Sequence, residues 1–166
     1  MFSQTSDYAL RVIVLLAGRI GAVEQAATTR QIAQATRVPE GYLAKVLQNL
    51  VRAGMVKSQR GLHGGFVLDR DPAQLTVFDV IESVEPVSRI RTCPLGLAAH
   101  GTRLCALHRR LDGAMELVEA AFRDTTIAEI LSDASTKGGS KPLCDVSNED
   151  EPVKTSRTMT LSITKK

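Results

Sequence analysis

Three cysteines and three histidines are the residues of this chain best suited to chemistry, and two of each fall close together. Cys93 and Cys105 bracket a stretch that contains His100, and His108 follows Cys105 by three residues in Cys105-Ala106-Leu107-His108. Thiolates are soft donors suited to iron and sulfide, and an imidazole can replace one of them. The same two thiols could instead form a reversible disulfide sensor, or sit inert in a loop. Cys144 lies in Lys141-Pro142-Leu143-Cys144-Asp145, where the neighbouring carboxylate disfavours a thiolate, and it is assigned no role. A second set of residues suits nucleic acid: Thr29, then Tyr42, Lys45 and Gln48 at one-turn spacing, then Arg60 and His63 in a glycine-rich run with Gly64 and Gly65. Lysine and arginine neutralise phosphates, and tyrosine and glutamine bond phosphates or base edges, although Tyr42 could instead be half core with its hydroxyl wet. Gly61, Gly64 and Gly65 are expected to supply the positive φ of a tight wing and to let backbone lie close to phosphate.

The elements that must carry these residues can be read from spacing. Tyr42, Leu43, Val46, Leu47 and Leu50 recur at helical intervals, Gly54 stands where a helix would stop, and Val56, Phe66 and Leu68 follow strand intervals. Upstream, Thr28-Thr29-Arg30-Gln31-Ile32 opens a shorter helix with a capping-box pattern, and Arg37-Val38-Pro39 turns between the two. Two short helices, a tight turn and a β-hairpin make a winged helix-turn-helix, whose second helix has the size to enter a major groove. A helix from near Ser3 to Ala17 precedes this unit, with Tyr8, Val12, Leu15 and Leu16 on one face and Gly18 and Gly21 closing it. After it, Thr76 and Asp79 cap a short helix, residues 85–103 read as a loop punctuated by Pro86, Pro94, Gly96 and Gly101, and Thr126 with Glu129 caps a last helix ending at Leu131. Between loop and last helix, Leu104, Leu107, Leu111, Met115, Val118 and Phe122 alternate by three and four along a long helix to Arg123. That stripe is expected either to pack on its own domain or to meet a second copy of itself.

Composition bounds the class. A chain of 166 residues with 43% hydrophobic content supports one domain with its own core, followed by a polar tail. No apolar run reaches the roughly eighteen residues of a membrane span, and the start MFSQTSDYALRVIVLLAG has no basic region before its apolar stretch, so the chain is read as cytoplasmic, without a membrane partner. Net charge is only +3, yet residues 1–75 carry nine Lys and Arg against five Asp and Glu, a surplus on the half expected to meet DNA. There is no Cys-x-x-Cys, nucleotide-binding fingerprint, nucleophile elbow or recognisable carboxylate pair, which leaves an enzyme reading with little support.

The run Leu50-Val51-Arg52-Ala53-Gly54-Met55-Val56, followed by Arg60-Gly61-x-x-Gly64-Gly65-Phe66-x-Leu68, resembles the wing signature of bacterial repressors of the IscR, NsrR and CymR type, the Rrf-two family. The resemblance runs from about Phe2 to Leu131 and includes Asp7-Tyr8-Ala9-Leu10-Arg11 and Leu75-Thr76-Val77-x-Asp79-Val80-Ile81. It implies a mainly α fold: a winged helix-turn-helix with a small hairpin wing at 1–84, a cysteine and histidine sensor loop at 85–103, and a long C-terminal dimerisation helix with a short capping helix at 104–132; the tail at 133–166 lies outside it and, rich in Ser, Thr, Lys and Asp, is expected to be disordered. It also implies a homodimer that binds a pseudo-palindromic operator on double-stranded DNA, as a repressor. Cluster-binding members carry three cysteines in this loop, some with a histidine three residues after the last, so the resemblance places a 2Fe-2S cluster on Cys93, Cys105 and His108. Ala99 stands in place of the middle cysteine, with His100 beside it, and His100 and Asp7 are the further ligand candidates that the resemblance offers. Such a loop would sense redox, nitric oxide or iron-sulfur status. The alternatives are a cluster-free winged-helix regulator answering a small molecule or protein partner, an iron-sulfur carrier or redox protein, and an interaction module that binds protein rather than DNA.

Overall fold

A helix buried on nearly every side lies at the centre of the structure, a computed structural model that describes residues 3–22, 26–61, 63–92 and 104–135. This helix, α1 (Gln4–Gly18), starts at Ser3, whose Oγ accepts the Ser6 amide at 3.3 Å. The single apolar face expected of it proves wider, because residues 12–17 are all buried. The physical reason is that other elements surround it: α2 (Thr29–Thr36), α3 (Glu40–Arg52), α4 (Val77–Val84), α6 (Ile127–Ser135) and the second hairpin strand all pack on it.

The capping reactions written in the sequence form as expected. Thr28 Oγ1 accepts the Gln31 amide while Gln31 Oε1 accepts the Thr28 amide at 2.8 Å, and Thr76 and Asp79 do the same at the head of α4. These bonds satisfy amides that a helix start would otherwise leave unpaired. Arg37 takes a left-handed conformation (φ 56°) to end α2, and Pro39 caps α3 without a side-chain bond. α3 buries Leu43, Val46, Leu47 and Leu50 and stops where Gly54 turns to φ 66°, with the Met55 amide bonded to the Leu50 carbonyl at 3.0 Å.

The wing is an antiparallel pair, β1 (Val56–Gln59) and β2 (Gly65–Leu68), in the register Val56 to Leu68 and Gln59 to Gly65. Ala27 adds a third, one-residue strand: its amide bonds the Phe66 carbonyl at 3.0 Å and the Phe66 amide returns to its carbonyl at 2.8 Å. This pairing ties the wing to the chain just before α2. On the other flank the start of α6 is laced to the segment ahead of α4, the Ile127 amide to Leu75 and the Val77 amide to Thr125, and Ile127 is fully buried. α6 therefore belongs to the core around α1. It runs to Ser135, one turn beyond the end expected at Leu131, and its Thr126–Glu129 cap is present. α5 (Ala106–Asp124) starts two residues later than expected, with Cys105 at its N-cap. The tail from residue 136 lies outside the described residues.

Wing and body meet so closely at Gly65 that a Cβ there would stand 2.6 Å from the Ala27 carbonyl oxygen. Gly65→Ala must push two hydrogen-bonded backbones apart, and a loss of roughly 1–3 kcal/mol is expected. Denaturant unfolding measures it; an unchanged midpoint would show that the wing yields without cost.

Candidate nucleic-acid interface and thiol site

The residues expected to meet DNA lie on α2, α3 and the wing. α3 turns its buried stripe inward, which leaves Tyr42, Lys45 and Gln48 exposed on the opposite side, Tyr42 at 64%. Tyr42 is therefore not half core, although its spacing fits the apolar stripe. Its ring meets the edge of Tyr8 at 6.2 Å between centroids and 60° between planes, which pins the first turn of α3 to α1. Arg11 of α1 donates to the Thr36 carbonyl at 3.3 Å and pairs with Asp7 at 2.8 Å, so the turn of the helix-turn-helix is held from α1 as well. Thr29 is the half-buried first residue of α2. On the wing, Arg60 and His63 are exposed.

The wing glycines serve for different reasons than the sequence suggests. Of the three expected to need positive φ, only Gly61 has it (φ 114°). Gly64 and Gly65 are required by space: a Cβ on Gly64 would lie 2.8 Å from the carbonyl oxygens of Gln59 and Gly61, and Gly65 abuts Ala27. Three cations on the same elements escaped the sequence reading: Arg30 on α2, Arg37 in the turn and Lys57 on β1, all exposed. The available signal was position, since Arg37 ends α2 and Lys57 is the second residue of the wing strand.

At the head of α5, Cys105 Sγ lies 3.2 Å from His108 Nδ1, so the structure brings together two of the expected ligands. Cys93 and His100 lie outside the described residues, as does Cys144. Asp7 is engaged by Arg11 instead. Among the described residues no group of three metal-ligating side chains converges. The Cys105 and His108 pair offers one thiol and one imidazole a single turn apart, donor types that suit a soft ligand set.

A cation holds the chain ahead of that segment on α5. Arg89 makes a bidentate bond to Asp112, Nε to Oδ1 and Nη2 to Oδ2, each at 2.8 Å, and Nη2 also reaches Glu116 at 3.2 Å. Glu119 stands 3.8 Å from Nη1, and the Ile90 amide donates to Asp112 Oδ1 at 3.0 Å. Glu119 is shared with Arg123, whose guanidinium lies 3.5 Å over the Phe78 ring.

The arrangement of two capped helices, an exposed polar face on the second and a wing beside it is that of a DNA-binding regulator. The profile of the Rrf2 family, described as an iron-dependent transcriptional regulator, matches residues 2–133. The chain is 30% identical over 138 residues to the transcriptional regulator NsrR of Geobacillus kaustophilus, covering 79% of this chain and 89% of that one. The structure of CymR, the global cysteine regulator of B. subtilis, superposes with a TM-score of 0.64 at 26% identity, over 80% of this chain and 96% of that one. For IscR of T. potens the TM-score is 0.67 at 24% identity, over 81% and 88%. The chain belongs to the Rrf2 family: it is a winged-helix, DNA-binding transcription regulator of bacterial type. Among the described residues no helix is long and apolar enough to cross a membrane.

The Arg89 hydrogen bond holds the Asp112 carboxyl below its ordinary range, partial burial opposes this, and the Ile90 amide reinforces it. A carboxylate with a depressed folded-state pKa stabilises the fold above its unfolded pKa of about 3.9, and that contribution is lost as pH falls through the folded value. Wild type should therefore melt above Asp112→Asn at neutral pH, with the gap closing as the solution is acidified below about pH 4. Thermal unfolding across this range checks it, and a gap independent of pH would contradict the pairing.

Proposed function

We propose that the protein is a homodimeric repressor whose recognition surface is Thr29, Tyr42, Lys45 and Gln48 with Arg60, His63, Gly64 and Gly65 of the wing. The observation that carries this reading is the α3 face: Leu43, Val46, Leu47 and Leu50 are buried, and the residues turned to solvent offer a phenol, an ammonium and an amide one turn apart. Arg30, Arg37 and Lys57 add exposed cations on α2, on the turn after it and on the wing. If Lys45 and Arg60 each meet a phosphate, Lys45→Ala and Arg60→Ala weaken binding to any duplex, and each lowers the slope of log affinity against log salt by roughly one unit. Filter binding at several salt concentrations reads both, and unchanged affinity and slope in both variants refutes the surface.

The dimer reading rests on α5. None of its residues is fully buried, and Leu107, Leu111 and Val118 are 62%, 45% and 46% exposed, in line with one another along the helix. Such a seam is what a second copy would cover, and two recognition helices on a two-fold axis read a pseudo-palindromic operator.

The thiol site is read as a sensor. Cys93, Cys105 and His108, with His100 or Asp7 completing the set, would hold a 2Fe-2S cluster, and the iron-dependent description of the family supports it. A bound cluster would supply one-electron redox chemistry and reactivity toward oxidants or nitric oxide. Cys105 and His108 contribute a preformed pair of donors at the helix start. Anaerobically prepared protein is expected to contain iron and sulfide, to lose both in Cys93→Ala and Cys105→Ala, and to retain both in Cys144→Ala. Iron-free protein whose DNA binding still answers oxidant only when both loop cysteines are present would establish the disulfide sensor in its place.

A further inference from the structure

α5 is held on the winged body by little close packing. Met115 and Phe122 are half-buried, while an open cavity of about 550 Å³, lined by Phe78, Ile81, Ile90, Leu111, Met115 and Phe122, lies beneath the helix. Apolar contacts of this kind are non-directional and tolerate tilting. Apart from the Val77 amide on the Thr125 carbonyl and Arg123 over Phe78 at the helix end, the directional ties centre on Arg89 and Asp112: the planar fork of Arg89 on Asp112, its further contacts with Glu116 and Glu119, and the Ile90 amide on the same Asp112 oxygen. Arg89 lies five residues after the end of α4, which is buried in the winged body through Val77, Phe78, Val80 and Ile81. The clamp thus ties the long helix to the chain after α4, ahead of the tie that the Val77 amide and the Thr125 carbonyl make at its far end.

The lever is long enough to matter for DNA. A helix of 19 residues is about 28 Å long, so a tilt of about 10° moves its far end by about 5 Å. Shifting one half-site by a single base pair moves it by about 3.4 Å and rotates it by about 34°. We propose that Arg89 is a positioning residue for operator choice: by fixing the angle of α5 on the winged body, it sets the half-site spacing that the dimer accepts. This rests on the dimer reading of α5 given above.

The test is selection from a pool of random-sequence duplexes, carried out with the full chain in parallel with sedimentation. Wild type should recover two half-sites at one spacing. Arg89→Gln should recover the same half-site sequence with its spacing spread over neighbouring values, and discrimination between the best spacing and the next should fall roughly fivefold, the scale of a bidentate charged contact between half-exposed partners. Arg89→Lys, which keeps the charge without the fork, should fall between them. Should Arg89→Gln fail to fold or to dimerise, Asp112→Asn, which leaves Glu116 and Glu119 for the guanidinium, carries the same readout. A uniform loss of affinity at every spacing, or an unchanged single spacing in a dimeric variant, overturns the proposal and leaves the dimer intact. A wild-type chain that sediments as a monomer on a single half-site overturns the dimer reading and the proposal with it.

Discussion

Enclosure of α1 is the constraint on which the rest of this fold depends. A helix whose residues 12–17 are all buried has no stable solution alone, and α2, α3, α4 and α6 each complete part of its cover. α3 is consequently fixed twice from the same support, by Leu43, Val46, Leu47 and Leu50 in the core and by Tyr8 at the surface, while Arg11 holds the end of α2 before it. Such rigidity suits the proposed role, in which side chains on α3 reach base edges and phosphates without ordering the helix at the moment of binding.

Much of this was legible in the amino-acid pattern where a local rule decides the outcome. Thr28 with Gln31, Thr76 with Asp79 and Thr126 with Glu129 cap their helices because the bonding partners lie three residues apart, and Gly54 stops α3 because a left-handed residue costs little there. What escaped depends on distant contacts. The spacing of Tyr42 matches the buried stripe, yet the ring is exposed because Tyr8 meets it at the edge of the core. Gly64 and Gly65 read as positive-φ residues, whereas they are needed because other backbone passes within 3 Å of where a side chain would start. The placement of α6 against α1 could not be read at all, since a short capped helix after a long one gives no sign of the surface it returns to.

The contrast between α1 and α5 organises function. One helix is enclosed and supports α2, α3 and the wing; the other is half-covered, begins at the Cys105 and His108 pair and is bonded by Arg89 through Asp112. A regulator needs a firm reading head and a part whose position can answer a signal, and on the proposed reading these two requirements fall on different helices.

The central claim is that α3 and the wing form the surface that meets DNA. Amide hydrogen exchange with and without a duplex recovered from the random pool tests it most directly. Residues 41–48 of α3 and 57–60 of the wing should slow on binding, while α6 stays unchanged. Protection confined to α5 or α6, with α3 and the wing exchanging as in the free protein, would contradict it.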